Sequence, residues 1–426
     1  MNGSQILAEA LERQGVDMFF FIMGAPMLMV EAEVLKRGLR GIDVRHEQAA
    51  AMMAHAYARL RRRPGVCMAA SGPGVTNLVT GVAHAWADGV PIIALGGSAP
   101  VGTWGRGAFQ EIDQLAMMAP CTKWAARVHH PRRLPEYLNE AFERAMSGKP
   151  GPVYLDLPGD VLFQEVDAAK IEWPEPWDPK TRSRPQAAPE EIEALVAMLE
   201  AAQSPIVVAG SGVLWSEAEA ELQTFVERAG IPFYTTPQSR GMIPEDHELC
   251  YLTARSTAFR EADLILVIGT RLNYVIGHAA PPRFDAAAKR VRIDIDPEEI
   301  ATIPRLDLKI TGDAKAVLRQ LLSAADRLGA DRFATWRERL RGRNSGKQEE
   351  QEALLGSSEV PIHPLRLCKE VRDFIDRDAI LVVDGQEILN FGRQTIPSFA
   401  PNHRMNSGVF GTMGVGLPLG VGAKLA

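Results

Sequence analysis

The chain has 426 residues, 46% of them hydrophobic and 23% charged. That is the composition of an ordinary globular protein of about three domains, and it excludes wholesale disorder or a fibrous chain. Forty-seven Lys and Arg against 53 Asp and Glu leave a formal charge of −6, which argues against nucleic acid as a partner because phosphate binding needs a basic field; small anions stay open, since a pocket can be basic on an acidic protein.

The first elements read as a helix over 7–14, closed by Gly15, and a strand over 17–23 whose continuous apolar character suits a buried parallel sheet. The apolar run from Met18 to Val30 is broken by Gly24 and Pro26 and is shorter than the roughly 18 residues a membrane helix needs. Strands follow at 42–45, 65–70, 91–96 and 153–157, with helices at 48–61, 75–88 and 135–147. This alternation predicts a doubly wound α/β domain. Residues 163–190, with Pro174, Pro176, Pro179, Pro185 and Pro189, read as an extended linker. A second α/β domain follows, with helices at 190–202, 218–229 and 314–322 and strands at 206–209, 233–235, 264–268 and 291–296. The charged run from Arg341 reads as a solvated helix end passing into a linker. A third unit opens with a helix at 365–376, a strand at 379–383 and a glycine-rich run to Ala426. The expected division is 1–165, a linker 166–189, 190–335, a linker 336–360, and 361–426. Cys67, Cys121, Cys250 and Cys368 stand far apart with no CxxC, so neither a zinc site nor a disulfide framework is suggested. With no basic leader or cleavage site, the chain is expected to be cytoplasmic.

Five segments carry chemistry. In Arg45-His46-Glu47-Gln48-Ala49-Ala50 a charged triplet at a strand end runs into an Ala-rich helix. Glu47 is either a helix-start acid favoured by the macrodipole or a partly buried carboxyl of perturbed pKa that exchanges a proton with a cofactor. Ser71-Gly72-Pro73-Gly74, with Asn77 beyond it, is a strand-to-helix turn, either a simple tight turn or a close backbone approach to a ligand. The loop from Arg106 through Phe109, Gln110 and Glu111 to Gln114 has the polar and aromatic content of a specificity loop. The others are Asp384-Gly385-Gln386-Glu387 and Gly408-Val409-Phe410-Gly411-Thr412-Met413-Gly414-Val415-Gly416. In the latter, Gly414, Gly416 and Gly420 miss the GxGxxG spacing by one, so a dinucleotide reading gains little. Met413 by itself reads as core packing.

Together, in this order, these segments resemble the thiamine-diphosphate enzymes of the acetolactate-synthase superfamily, over essentially the whole chain. The resemblance implies tandem doubly wound parallel-sheet domains: a pyrimidine-binding domain, a central domain and a diphosphate-binding domain. Within the superfamily, Thr253-Ala254-Arg255-Ser256 and Gly269-Thr270-Arg271-Leu272-Asn273-Tyr274 look closer to 2-hydroxyacyl-CoA lyase and oxalyl-CoA decarboxylase than to acetolactate synthase, and FAD is not expected. It implies that Glu47 protonates the aminopyrimidine and that Met413 is the wedge that bends the cofactor. Ala25 and Pro26 would lie beneath the thiazolium, Pro73 and Asn77 beside the aminopyrimidine, and Gly411 would contact it from another subunit. Gly385, Gln386 and Glu387 match the loop that meets the diphosphate, although an anion at Glu387 would be repelled unless it faces elsewhere. Phe109 and Gln110 match the positions facing the substrate carbonyl, where the oxalyl-CoA enzyme places Tyr-Glu.

The implied reaction splits a 2-hydroxyacyl-CoA into an aldehyde or ketone and formyl-CoA, or joins them in reverse. Arg255, Ser256, Arg271 and Asn273 are candidates for contact with CoA or an ADP-like nucleotide. The alternatives are an acetolactate-synthase-like or other 2-oxo acid enzyme, and a non-catalytic shortened subunit. A homodimer or homotetramer is expected, with no membrane partner. The family's Mg²⁺ ligands come from a Gly-Asp-Gly motif and a later Asn, and Ala426 precedes them. The third domain is therefore expected to be incomplete, a further C-terminal segment supplying the metal ligands, and the isolated chain to bind cofactor poorly and turn over little.

Overall fold

A computed structural model describes residues 1–302 and 305–426. It divides into two units, Met1–Ser183 with Ser407–Ala426, and Arg184–Asn406. In the first, strands β1 (Met18–Phe21), β2 (Arg40–Asp43), β3 (Gly65–Ala69), β4 (Ile92–Ser98), β5 (Trp124–Arg127) and β6 (Val153–Pro158) form one sheet in the order β2-β1-β3-β4-β6-β5. Every pairing is parallel, with Phe20 opposite both Ile42 and Cys67. Parallel strands need crossovers that cover both faces, and β1, β3, β4 and β6 are accordingly buried throughout.

Helix α1 (Gly3–Arg13) precedes β1, whereas α2 (Leu28–Lys36), α3 (Glu47–Arg61) and α4 (Pro73–Asp88) follow the carboxyl ends of β1, β2 and β3. Helix α1 starts in a reciprocal capping box. The Asn2 side chain accepts from Gln5 N at 3.0 Å, and Gln5 Oε1 accepts from Asn2 N at 3.1 Å. Pro73 opens α4, where a missing N–H costs nothing, and Gly89 at φ +67° closes it.

In this first sheet two stretches depart from expectation. The run read as a strand over 17–23 pairs only over Met18–Phe21, and the residues beyond Pro26 form α2. Strand β5 was not anticipated: it is a four-residue edge strand, half-buried and ending in Arg127, so it lacks the apolar signature of its neighbours.

The second unit holds β7 (Pro205–Ala209), β8 (Phe233–Thr235), β9 (Leu264–Ile268), β10 (Lys289–Asp294) and β11 (Leu308–Thr311), all parallel in the order β11-β10-β9-β7-β8. A further parallel pair joins β12 (Leu381–Val383) to β13 (Arg404–Asn406). The doubly wound α/β expectation is borne out in both sheets. The polar run from Arg341 does not leave the helix there: one 22-residue helix spans Ala334–Leu355. Trp336 anchors it by donating to Pro205 O at 3.2 Å, and Leu340 is fully buried. Asn344 fastens the next turn, its Oδ1 accepting from Thr253 N at 3.0 Å and Thr253 Oγ1 at 2.8 Å. Among the described residues no helix is long and apolar enough to cross a membrane.

Candidate functional site

In the first sheet the chain leaves β1 toward β2 on one side and leaves β3 toward β4 on the other. Such a reversal opens a crevice at the carboxyl ends of the two strands, the usual ligand position in open α/β sheets. The loops there are Gly24-Ala25-Pro26 after β1 and Ser71-Gly72-Pro73 after β3. They are bonded main chain to main chain, Ser71 N donating to Ala25 O at 3.1 Å. Ala25 and Pro73 are exposed, whereas Pro26 is buried beneath them. Gly72 sits at φ +60°, and a side-chain carbon there would lie 2.6 Å from Gln110 O, so the turn admits only glycine.

Glu47 is the first residue of α3 and is 8% exposed. Its Oε2 accepts from Asn77 Nδ2 at 2.9 Å, joining the starts of α3 and α4. A carboxylate at that helix end also meets the positive end of the macrodipole. Gln110 is held in the left-handed region at φ +57°, and its Oε1 accepts from Ser71 Oγ at 2.9 Å. Ala25, Pro26, Pro73, Asn77, Glu47 and Gln110 are thus placed around one crevice by the loops and bonds that link them. Phe109 is 79% exposed.

Sequence reasoning missed the residue that holds this arrangement. Gln114 is 1% exposed; its Oε1 accepts from Gly72 N at 3.0 Å, and its Nε2 lies 2.6 Å from Gly97 O, 2.8 Å from Tyr154 Oη and 2.8 Å from Asp156 Oδ1. Arg127 Nε in turn donates to Asp156 Oδ2 at 2.5 Å. The only signal was its place at the end of the polar loop.

Gly411, at φ +72°, and Met413 lie in the loop before the helix Gly416–Leu425. That helix packs on α3, so closely that a side-chain carbon at Gly422 would lie 2.6 Å from Met53 O. Met413 is 78% exposed, so core packing does not explain it.

The second unit contains a cavity of about 490 Å³ whose lining includes Arg240, Arg255, Arg283, Arg393 and Lys347 together with Glu245 and Glu350, Glu245 being paired with Arg240. Arg255 Nε and Nη2 are sealed from solvent with no hydrogen-bond partner among the described residues. Burial, then the neighbouring charges of Arg283, Arg393 and Arg240, push its guanidinium down to about 9. Arg393 is lowered by burial and by Arg240 and Arg283, and Lys347 by burial and by Arg343 and Arg260. Ser256 is at the rim, its Oγ accepting from Lys347 Nζ at 2.8 Å. Five cations against two carboxylates leave a net positive space that favours an anion. Arg271 and Asn273 are not in this lining: Arg271 pairs with Glu299 at 2.9 Å, and Asn273 Oδ1 caps Val275 N at 3.0 Å. Gly385, at φ +88°, and Gln386 form the turn after β12, and Glu387 begins the next helix, exposed. There the macrodipole stabilises an acid, which accounts locally for a carboxylate in that loop.

Two family models match: the thiamine pyrophosphate enzyme N-terminal TPP binding domain over residues 1–117, and the thiamine pyrophosphate enzyme central domain over 192–321. Among curated relatives, 2-hydroxyacyl-CoA lyase 1 of Mus musculus is 32% identical, covering 100% of this chain and 73% of the relative. A probable acetolactate synthase large subunit of Methanocaldococcus jannaschii is 36% identical over 100% of this chain and 74% of its own length. Oxalyl-CoA decarboxylase of Escherichia coli is 30% identical over 100% and 76%. With both models falling on the two doubly wound sheets, the chain belongs to the thiamine pyrophosphate enzyme family.

Proposed function

We propose that the protein is a thiamine-diphosphate-dependent carbon–carbon lyase, cleaving a 2-hydroxyacyl-CoA to an aldehyde or ketone and formyl-CoA, and running in reverse as a ligase. The cationic cavity carries this reading. A CoA thioester brings a nucleotide diphosphate and a further phosphate, which the excess of cations left after Glu245 pairs with Arg240, and the unpartnered nitrogens of Arg255, suit. A free 2-oxo acid offers only one carboxylate.

The crevice residues fit the pyrimidine half of the cofactor. Glu47 is buried, and Asn77 occupies Oε2, which leaves Oε1 for a ring nitrogen. Gly74 keeps that side open, since a side-chain carbon there would already lie 3.5 Å from Oε1. When bound, thiamine diphosphate supplies a nucleophilic carbon and an electron sink for cleavage beside a carbonyl. Glu47 holds and returns the proton at that ring nitrogen. Gln110, fixed by Ser71, presents its amide to the reacting carbonyl, with Phe109 next to it in the same loop. The reading includes Mg²⁺ with the diphosphate, assigned to no residue of this chain, and a cytoplasmic homodimer or homotetramer.

The test supplies the protein with Mg²⁺, thiamine diphosphate and a 2-hydroxyacyl-CoA, and reads formyl-CoA by mass spectrometry. A parallel titration compares CoA with pantetheine, which lacks the nucleotide. Tight CoA and weak pantetheine binding, with formyl-CoA formed, is expected. Equal binding of the two sinks the cavity assignment. The 36% identity to a probable acetolactate synthase favours a second reading, selected if pyruvate is consumed without any thioester.

A further inference from the structure

Between α3 and α4, two turns below Glu47 and Asn77, lies a polar cluster that the proposed chemistry does not use. His55 is 1% exposed, His84 is fully buried and Asp88 is 9% exposed. Among the described residues they are the one group of three whose ligand atoms converge, all within 4.8 Å of one another. His84 Nε2 lies 3.3 Å and His55 Nε2 3.8 Å from Asp88 Oδ2, with the two rings 4.7 Å apart and tilted by 46°. A tetrahedral ion bonded at about 2.0–2.1 Å separates its ligand atoms by about 3.3–3.4 Å, so His84 and Asp88 already stand at that spacing and His55 would draw in on binding.

The imidazoles carry a further sign. Neither nitrogen of His84 has a hydrogen-bond partner among the described residues, nor does His55 Nδ1. A neutral imidazole always holds one N–H and one lone pair, and a fully buried ring rarely leaves both unanswered.

We propose that His55, His84 and Asp88 form a structural site for a divalent transition ion, zinc being the one suited to two imidazoles and a carboxylate, which staples α3 to α4 behind the crevice. Arg59, buried one turn beyond His55, is the competitor: Asp88's charge acts on it, so in the metal-free protein the guanidinium shares the carboxylate. Spacing along the chain gave no hint, because His55 and His84 come from different helices and neither lies near a cysteine.

The test strips the full chain with chelator, adds Zn²⁺ alone, desalts, and counts zinc by mass spectrometry. One zinc per chain is expected, with a melting temperature raised by several degrees. His55→Gln with His84→Gln should retain none while keeping the helical circular dichroism. Co²⁺ in the unmutated protein, read by the intense visible bands of tetrahedral cobalt, gives an answer that needs no variant. Arg59→Met should bind zinc at least tenfold more tightly. No retained zinc, equal zinc in the double variant, or only the weak bands of octahedral cobalt would overturn the site.

Discussion

Replacing Gln114 by Leu removes every polar contact of a buried side chain at nearly constant volume. Gly72 N–H, Gly97 O and Asp156 Oδ1 each lose a partner at 2.6–3.0 Å. Asp156 keeps Arg127 and Tyr154, so its loss is partial. Gly72 N–H loses the side-chain acceptor it has in a buried turn. At about 1–1.5 kcal/mol per group left wanting, the cost is about 3–4 kcal/mol. Burying the leucyl carbons in place of an amide recovers about 1 kcal/mol. The net, about 2–3 kcal/mol, corresponds to a fall of about 5–10 °C for a unit of this size. Urea unfolding measures the energy, and hydrogen exchange at the Gly72 amide reports the local consequence. Gln114→Glu is the companion variant. It keeps an oxygen for Gly72 but sets a second carboxyl against Asp156, so it should be worse at neutral pH and recover as pH falls and the two share a proton. A loss below about 1 kcal/mol for Gln114→Leu, or unchanged protection at Gly72, would refute the view that this side chain holds the turn.

Three other perturbations probe the same geometry. Glu47→Gln should reduce formyl-CoA production by about 10²-fold or more while the melting temperature stays within about 2 °C, since an amide can still accept from Asn77; wild-type turnover in the variant would remove Glu47 from the chemistry. Arg255→Met should weaken CoA binding about tenfold or more yet raise the melting temperature of the ligand-free protein, because it deletes a buried cation repelled by its neighbours; lower stability would contradict that balance. Glu31, 2% exposed on α2, is pushed up to about 8, chiefly by burial. Its folded form binds a proton that the unfolded form releases between the ordinary carboxyl range and about 8, so its contribution is favourable at low pH and lost as pH rises through that window. Melts of wild type and Glu31→Gln should therefore nearly coincide near pH 5 and diverge toward pH 8.5, the variant being the more stable; parallel curves would show that Glu31 does not titrate there.

The interior strands were legible because burial on both faces demands unbroken apolar runs, as in β3, β7 and β9. The edges were not: β5 and β11 are four residues each, half-open and charged, so nothing in their composition marks them as strands. Helix α2 was hidden because Met18–Val30 reads as one apolar stretch, although Gly24 and Pro26 divide it into a strand and a helix start. The 22-residue helix escaped because only Trp336 and Leu340 are buried, so its polar remainder has no apolar stripe to follow. Of the crevice, the residues with marked local patterns, Glu47 at a strand-to-helix junction and the Ser71–Pro73 turn, could be read directly. Gln114 could not, since its partners lie on β4, on β6 and in the loop after β3, and only the folded sheet brings them together.

The helix that covers α3 is separated in the chain from the rest of its unit by the whole of Arg184–Asn406. On a ribosome adding roughly 5–20 residues per second, those roughly 220 residues delay it by about 10–45 s. Through that interval the helix that packs on α3 at Gly422 has not yet been made, whereas every strand of the first sheet has been synthesised. Slower translation through the middle unit would lengthen the interval in which that helix face lacks its cover.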